Sequence, residues 1–210
     1  RFPLEQDPST PFKYSYVMKL YAEDAAPDNY FGSALAIHGN KVVVGAPGPN
    51  YYAAGFSTID DAGKAYVFDL TTGDQLAVMQ PRDEQYQPLL NCYRFGETVA
   101  IAEGIVLVGA PKAKKPCAMA TLNGAAFTFV LPADGIGLKA RETPWWWGQG
   151  PTYHQSSYLL APEGLDEWQI EFGRSVALMT AVWEAGGPER TLIAIGAPGV
   201  KDDQGAIYVL

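Results

Sequence analysis

Phe31-Gly32-Ser33-Ala34-Leu35-Ala36-Ile37 recurs in the chain as Phe95-Gly96-Glu97-Thr98-Val99-Ala100-Ile101, and again as Phe172-Gly173-Arg174-Ser175-Val176-Ala177-Leu178. Each copy is followed by an apolar run ending in Gly-Ala-Pro: Val42 to Pro47, Ile105 to Pro111 and Leu192 to Pro198. A third run closes each copy: Gly63-Lys64-Ala65-Tyr66-Val67-Phe68, Gly124-Ala125-Ala126-Phe127-Thr128-Phe129 and Gly205-Ala206-Ile207-Tyr208-Val209-Leu210. Three elements in one order, three times over, make this a repeat protein.

The runs are β-branched, aromatic or small and have strand rather than helix length. Thr71-Thr72-Gly73-Asp74 then reads as a tight turn, and Gln75 to Gln80 as a fourth strand. Each unit is thus expected to be an up-and-down antiparallel sheet of four strands. Gly and Ala at the end of the second strand let neighbouring backbones approach, and Pro stops the ladder. Sheets apolar on both faces stack on like sheets, and radial stacking gives a β-propeller.

The Phe-Gly start, the Gly-Ala-Pro middle and the Gly-x-Ala-Tyr-Val-Phe close resemble FG-GAP repeats, the blades of integrin-α-type β-propellers. The resemblance covers about Tyr30 to Leu210. It implies an all-β fold of FG-GAP-type propeller blades, usually in a seven-bladed ring, usually extracellular, that binds proteins or glycans and performs no chemistry. The units are expected at about 30–80, 94–161 and 171–210, within one partial propeller domain over 1–210. Three blades are too few for the family ring, since propellers have about four to eight.

Tyr14-Ser15-Tyr16-Val17-Met18-Lys19-Leu20 alternates apolar and polar, so residues 14–21 read as a displaced outer strand without three strands before it. The third unit has three strands and no fourth. Propellers use that offset to latch the first and last blades. Three arrangements fit: a piece of a longer propeller, two chains completing one ring, or three blades packed on another protein.

The 15 Lys+Arg against 23 Asp+Glu give a net charge of −8, which argues against nucleic-acid binding and against docking on anionic lipid. No apolar run approaches the roughly 18–20 residues needed to span a bilayer, so no membrane insertion is expected. No nucleophile elbow, His-Glu-x-x-His, phosphate loop or EF-hand pattern occurs. Gly135 to Ala140 superficially fits a dinucleotide fingerprint, but Pro144 follows where a helix should run. Neither His38 nor His154 has an evident Ser or Cys partner in its own repeat. The chain is therefore read as a non-enzyme without cofactors.

Family blades often carry a calcium loop with spaced carboxylates between the first and second strands. Ile37 to Lys41 and Ala102 to Gly104 are tight turns without them, and the longer Met179 to Arg190 offers only Glu184 and Glu189. No metal site is carried over. Asp60-Asp61 and Asp202-Asp203, just before the third strand, are weak metal candidates, and turn chemistry is the simpler reading.

Connections between the second and third strands, and between blades, open on one rim, which is the ligand side in integrin-type propellers. Tyr51, Tyr52, Phe56 and Tyr86 bring aromatic faces to it, and Arg82, Arg94, Lys112, Lys114 and Lys115 bring cations. Tyr and Arg together have the composition of interface hot spots. The competing readings are tyrosines anchoring their own loops and lysines on a solvated loop. Cys92 and Cys117 fall on the same rim, which favours a disulfide and an oxidising compartment over two buried thiols. The opposite rim bears the insertion from Pro132 to about Gln155, with Trp145, Trp146, Trp147 and Tyr153. Burial within an assembly, partner docking and glycan stacking are its three readings.

The leading functional expectation is an extracellular, cell-surface or luminal interaction and adhesion module that binds a protein partner through its rim loops. The alternatives are a structural subunit pairing with a neighbouring chain through open blade edges, and a lectin-like glycan binder.

Overall fold

The computed structural model describes residues 17–48, 63–80, 92–113, 124–131, 152–153, 155–160, 170–182, 187–201 and 203–210. The described residues hold strands, turns and no helix, so the fold is all-β. The first blade contains β1 (Ala34–His38), β2 (Lys41–Ala46), β3 (Lys64–Asp69) and β4 (Gln75–Met79), antiparallel in that order. A short strand, β5 (Cys92–Tyr93), precedes the second blade. That blade comprises β6 (Thr98–Ala102), β7 (Ile105–Ala110), β9 (Ala125–Val130) and β11 (Gln155–Leu160), again antiparallel neighbours in sequence order. Between them, β8 (Lys112–Ala113) pairs with β5, and β10 (Thr152–Tyr153) precedes β11. The third blade is β12 (Ser175–Val182), β13 (Glu189–Ala197) and β14 (Ala206–Val209).

The turns follow local chemistry. Glu103 and Gly104 join β6 to β7 with φ of 43° and 76°, two consecutive positive values that match the twist of a two-residue hairpin. Between β3 and β4, the Asp69 carboxylate accepts from the Thr71 amide at 2.6 Å, and the Gly73 amide donates to the Asp69 carbonyl at 2.8 Å. The Thr71 amide holds the exposed Asp69 carboxyl below its usual value.

The three sheets pack face to face in series, with the first strands β1, β6 and β12 side by side. One core joins Val43, Ala65, Val67 and Met79 of the first blade to Phe95, Val99, Ile101, Phe127 and Phe129 of the second. Another joins Ala100, Leu107 and Ala126 of the second blade to Ile170, Phe172 and Ile195 of the third. The phenylalanine of each Phe-Gly packs against its own third strand, edge-on in the first two blades and tilted against Tyr208 in the third. Phe31 sits 5.5 Å from Tyr66 and 5.8 Å from Phe68, and Phe95 sits 5.4 Å from Phe127 and 5.9 Å from Phe129. Such aromatic pairs add to simple area burial.

Three features differ from the sequence reading. Residues 17–21, the described part of the outer strand expected at 14–21, join no ladder. Three blades in series do not bring β14 round to them. Leu20 and Ala22 instead pack over Val42, Val44, Tyr66 and Phe68 of the first blade. The Tyr66 hydroxyl donates to Asp24 Oδ1 at 2.9 Å and Lys64 pairs with Asp24, which fastens this segment. Burial, then the Asp24 charge and hydrogen bond, push the Tyr66 hydroxyl far above its ordinary pKa.

The second difference is the connection read as a loop from Met179 to Arg190. Strand pairing continues into it as far as Val182 opposite Glu189, with Thr180 and Thr191 hydroxyls 3.4 Å apart across the strands. The third is β10. The chain that follows the Trp-rich stretch returns to the first blade, where Thr152 and Tyr153 pair in parallel with Val78 and Met79. The outer edge of β4 is thereby covered by a segment from the second blade's insertion.

Candidate interaction surface

Each blade starts with the same four-residue turn. The residue before Phe-Gly has positive φ in all three copies: Tyr30 at 52°, Arg94 at 61° and Glu171 at 51°. Its carbonyl accepts from the amide three residues on (Ser33, Glu97, Arg174), at 3.0–3.1 Å. The glycine that follows the phenylalanine also has positive φ, 96°, 91° and 89°. Its amide donates to the glycine of Gly-Ala-Pro in its own blade: Gly32 to Gly45, Gly96 to Gly109 and Gly173 to Gly196.

That turn is the plug that enters the preceding blade. A Cβ on Gly45 would fall within 3.0 Å of the Gly96 carbonyl, and one on Gly63 within 3.0 Å of Phe95 backbone atoms. The next interface repeats this, with Gly109 against the Gly173 carbonyl and Gly124 against Phe172 backbone atoms. Phe95 and Phe172 each make a parallel bridge with the glycine that opens the preceding blade's third strand, Gly63 and Gly124. Thr98 Oγ1 adds a hydrogen bond across blades to the Gly173 carbonyl at 2.8 Å. Glycine in both motifs is therefore explained by backbone meeting backbone between blades.

The third blade builds the same socket. The atoms nearest a Cβ on Gly196 all belong to Ser175 of its own blade, and a Cβ on Gly205 would stand 3.5 Å from the Pro198 carbonyl of its own blade. No described residue of another blade enters. The result is an open cleft of about 590 Å³ whose lining includes Ser175, Gly196, Ala197, Gly205 and Ile207. At the other end of the series, Leu35 and Ile37 of β1 are 63% and 65% exposed, whereas their counterparts Val99 and Ile101 are 9% and 8% exposed under the first blade.

The rim is defined by where the strands end. The chain between β2 and β3, between β4 and β6, between β7 and β9, and between β11 and β12 all opens on one side. Backbone pairing of Cys92 with Ala113 joins the inter-blade connection to the β7–β9 connection of the same unit. Cys117 itself lies outside the described residues, as do Tyr51, Tyr52, Phe56, Asp60, Asp61, Arg82, Tyr86, Lys114, Lys115, Trp145, Trp146, Trp147 and Asp202. Tyr153 is placed by its backbone on β10, at the outer edge of the first blade.

Of the rim cations named from the sequence, Arg94 is engaged within the fold. Its guanidinium pairs with Glu97, whose other carboxylate oxygen takes Arg174 of the next blade, and Arg174 Nε lies 3.7 Å from Glu171. Arg94 therefore serves the junction between the second and third blades. Lys112 on β8 is exposed. Sequence reasoning passed over Tyr30. It is 62% exposed, and its ring lies against Gly48 where the β2–β3 connection departs, so close that a Cβ there would collide with it. The signal was its place directly before Phe-Gly. On the opposite rim His38 Nε2 and Glu103 Oε1 of neighbouring blades are 3.2 Å apart. Asp203 occupies a turn at φ 65°. No group of three or more His, Cys, Asp or Glu side chains suited to a metal occurs among the described residues.

The geometry defines a class: an all-β series of propeller-type blades, locked backbone to backbone by Phe-Gly plugs in glycine sockets and not closed into a ring. Residues 14–68, which hold the N-terminal segment and the first three strands of the first blade, match the model of the FG-GAP repeat. No curated protein matches the chain significantly. Among solved structures, the chain is similar to the one described as "Crystal structure of the computationally designed Ika4 protein", at 13% identity and a TM-score of 0.37, over 94% of this chain and 99% of that one.

Proposed function

We propose that the chain is a non-catalytic protein-interaction module that binds a protein partner through the rim carrying the β2–β3, β4–β6, β7–β9 and β11–β12 connections. The observation that carries this reading is the asymmetry of the blades. Every connection on this rim is long, on strands fixed by blade-to-blade docking, whereas on the opposite side β1–β2 and β6–β7 close in two-residue turns and β9–β11 alone carries a long insertion. Loops held by a rigid scaffold are where binding residues concentrate. Tyr30, Tyr51, Tyr52, Phe56 and Tyr86 supply apolar contact there at low entropic cost, with Arg82 as the rim cation. An FG-GAP repeat in the first blade suits an interaction module.

We place the protein at the cell surface, outside the cell or in the secretory lumen. The backbone pairing of Cys92 with Ala113, four residues before Cys117, suits a Cys92–Cys117 bridge across two rim connections. Intact mass measured without reductant is expected two hydrogen atoms below that of the free dithiol; two alkylatable thiols would remove the argument for secretion. Capture of partners by the immobilised chain is expected to be unaffected by free mono- and oligosaccharides. Elution by a sugar would replace the protein-binding reading with the lectin-like one.

A further inference from the structure

The outer edge of β4 is occupied, but only in part. The strand has five residues, and β10 pairs with the last two, Thr152 with Val78 and Tyr153 with Met79. Among the described residues no strand pairs with Gln75, Leu76 or Ala77 on that side. The sequence around β10 explains the brevity. In the parallel register the residue that would come opposite Ala77 is Pro151, which has no amide hydrogen to give to a ladder. At the other end a single residue, His154, separates Tyr153 from Gln155, and Gln155 already pairs with Phe129 of the second blade. The pairing can lengthen in neither direction.

The edge beneath it suits a longer neighbour. Gln75-Leu76-Ala77-Val78-Met79 carries no charge and no proline, the usual devices that blunt an edge against pairing. The outer strand of the second blade, β11, differs in this respect: its ladder with β9 is irregular between Gln155 and Ser157, and such irregularities turn an edge away from new partners. On its inner side β4 is held by β3 from Gln75 to Met79, and Ala77 and Met79 are inaccessible. The strand therefore keeps its place whatever lies outside it. The edge points away from the side on which β1, β6 and β12 stand together, so a strand added there leaves the packing between blades unchanged.

We infer that the outer edge of β4 is a docking edge for an extended segment of a partner protein, and that β10 is the chain's own strap across it. The incoming segment adds a strand to the first blade, in the parallel sense that Thr152 and Tyr153 already use, and runs from Gln75 to Met79. Main-chain hydrogen bonds carry the affinity, so the segment is defined by its chemistry: a run as long as β4, uncharged, rich in β-branched and aromatic residues and free of proline. Two paired residues give way to a strand of full length, which sets the direction of the exchange. Because the strap must lift first, the measured affinity is the intrinsic one reduced by the fraction of chains that are open. This goes beyond the rim reading and does not depend on it.

The test is fluorescence polarisation with a labelled peptide, Thr-Tyr-Val-Thr-Tyr-Thr, on the full 210-residue chain and on two variants that lack the strap. One carries Thr152→Pro with Tyr153→Pro; in the other, residues 132–153 are replaced by a copy of the turn Thr71 to Asp74. Circular dichroism checks the fold of both. Each variant is expected to bind the peptide at least ten-fold more tightly than the parent, which corresponds to a strap closed in about nine chains of ten or more. The same peptide, N-methylated at its inner amides, is expected not to bind. Equal affinity of parent and variants overturns the inference, and so does an absence of binding by all three. Undiminished binding of the methylated peptide overturns it too. Loss of the β fold in both variants has the same consequence, since a strap that can be displaced is not needed for folding. Rim-dependent capture is expected to be the same with and without the strap, so failure here leaves the rim reading standing.

Discussion

Gly124→Ala is expected to destabilise the chain by about 3 kcal/mol or more, whereas Gly205→Ala costs only about 1 kcal/mol, when both are measured by urea unfolding below 1 μM. The two glycines open the third strands of the second and third blades and have nearly the same backbone angle, φ 77° and 78°. The strain of placing a Cβ at positive φ, roughly 1–2 kcal/mol, is thus common to both. What differs is the neighbour. A Cβ on Gly124 collides with Phe172 backbone, which has no flexible end to swing aside, while one on Gly205 meets nothing closer than 3.5 Å. Overpacking of that kind adds about 1–3 kcal/mol. At about 3 °C per kcal/mol for a chain this long, the melting temperatures of the two variants should differ by about 6 °C. Equal losses would mean that the second and third blades are not docked through these glycines.

Phe95→Ala is expected to cost about 3–5 kcal/mol, the ordinary range for emptying a fully buried aromatic site. Phe95 is completely inaccessible, held edge-on by Phe127 and Phe129 and covered by the first blade. Its repeat partner Phe31 has the same contacts with Tyr66 and Phe68 but is only half-buried, because no described blade covers it. Phe31→Ala should therefore cost clearly less in the single chain. Thermal melts of the two variants side by side check the order, and a larger loss at Phe31 would contradict the serial packing of blades.

Much of this architecture is written in the order of the motifs. Phe-Gly, Gly-Ala-Pro and the closing Gly-x-Ala pattern mark each blade's first three strands, because each motif answers a local requirement: an aromatic that packs on its own sheet, and glycines that admit the next blade's backbone. Positive φ at Tyr30, Arg94 and Glu171 was not legible. Those residue types do not favour that conformation, and in the second and third copies the turn carries the following glycine into the preceding blade. The return of Thr152 and Tyr153 to β4 was equally hidden, since two residues of backbone pairing leave no pattern in side chains. The alternation in residues 14–21 was legible, but the edge it suits is not within reach in the single chain. Among the binding candidates, Arg94 pairs with Glu97 three residues on, and the Arg174 that shares Glu97 is distant in sequence and becomes a neighbour only once blades dock.

The account assigns binding to one rim, and a comparison of two variants tests this most directly. In one, Tyr51, Tyr52, Phe56 and Tyr86 are replaced by Ser; in the other, Trp145, Trp146 and Trp147 are. Partner capture by each is measured beside its melting temperature. The account predicts that the tyrosine-rim variant melts with the parent and loses capture at least ten-fold, while the tryptophan variant keeps capture. Capture lost in the tryptophan variant and kept in the tyrosine variant would contradict it and move the binding face to the opposite rim.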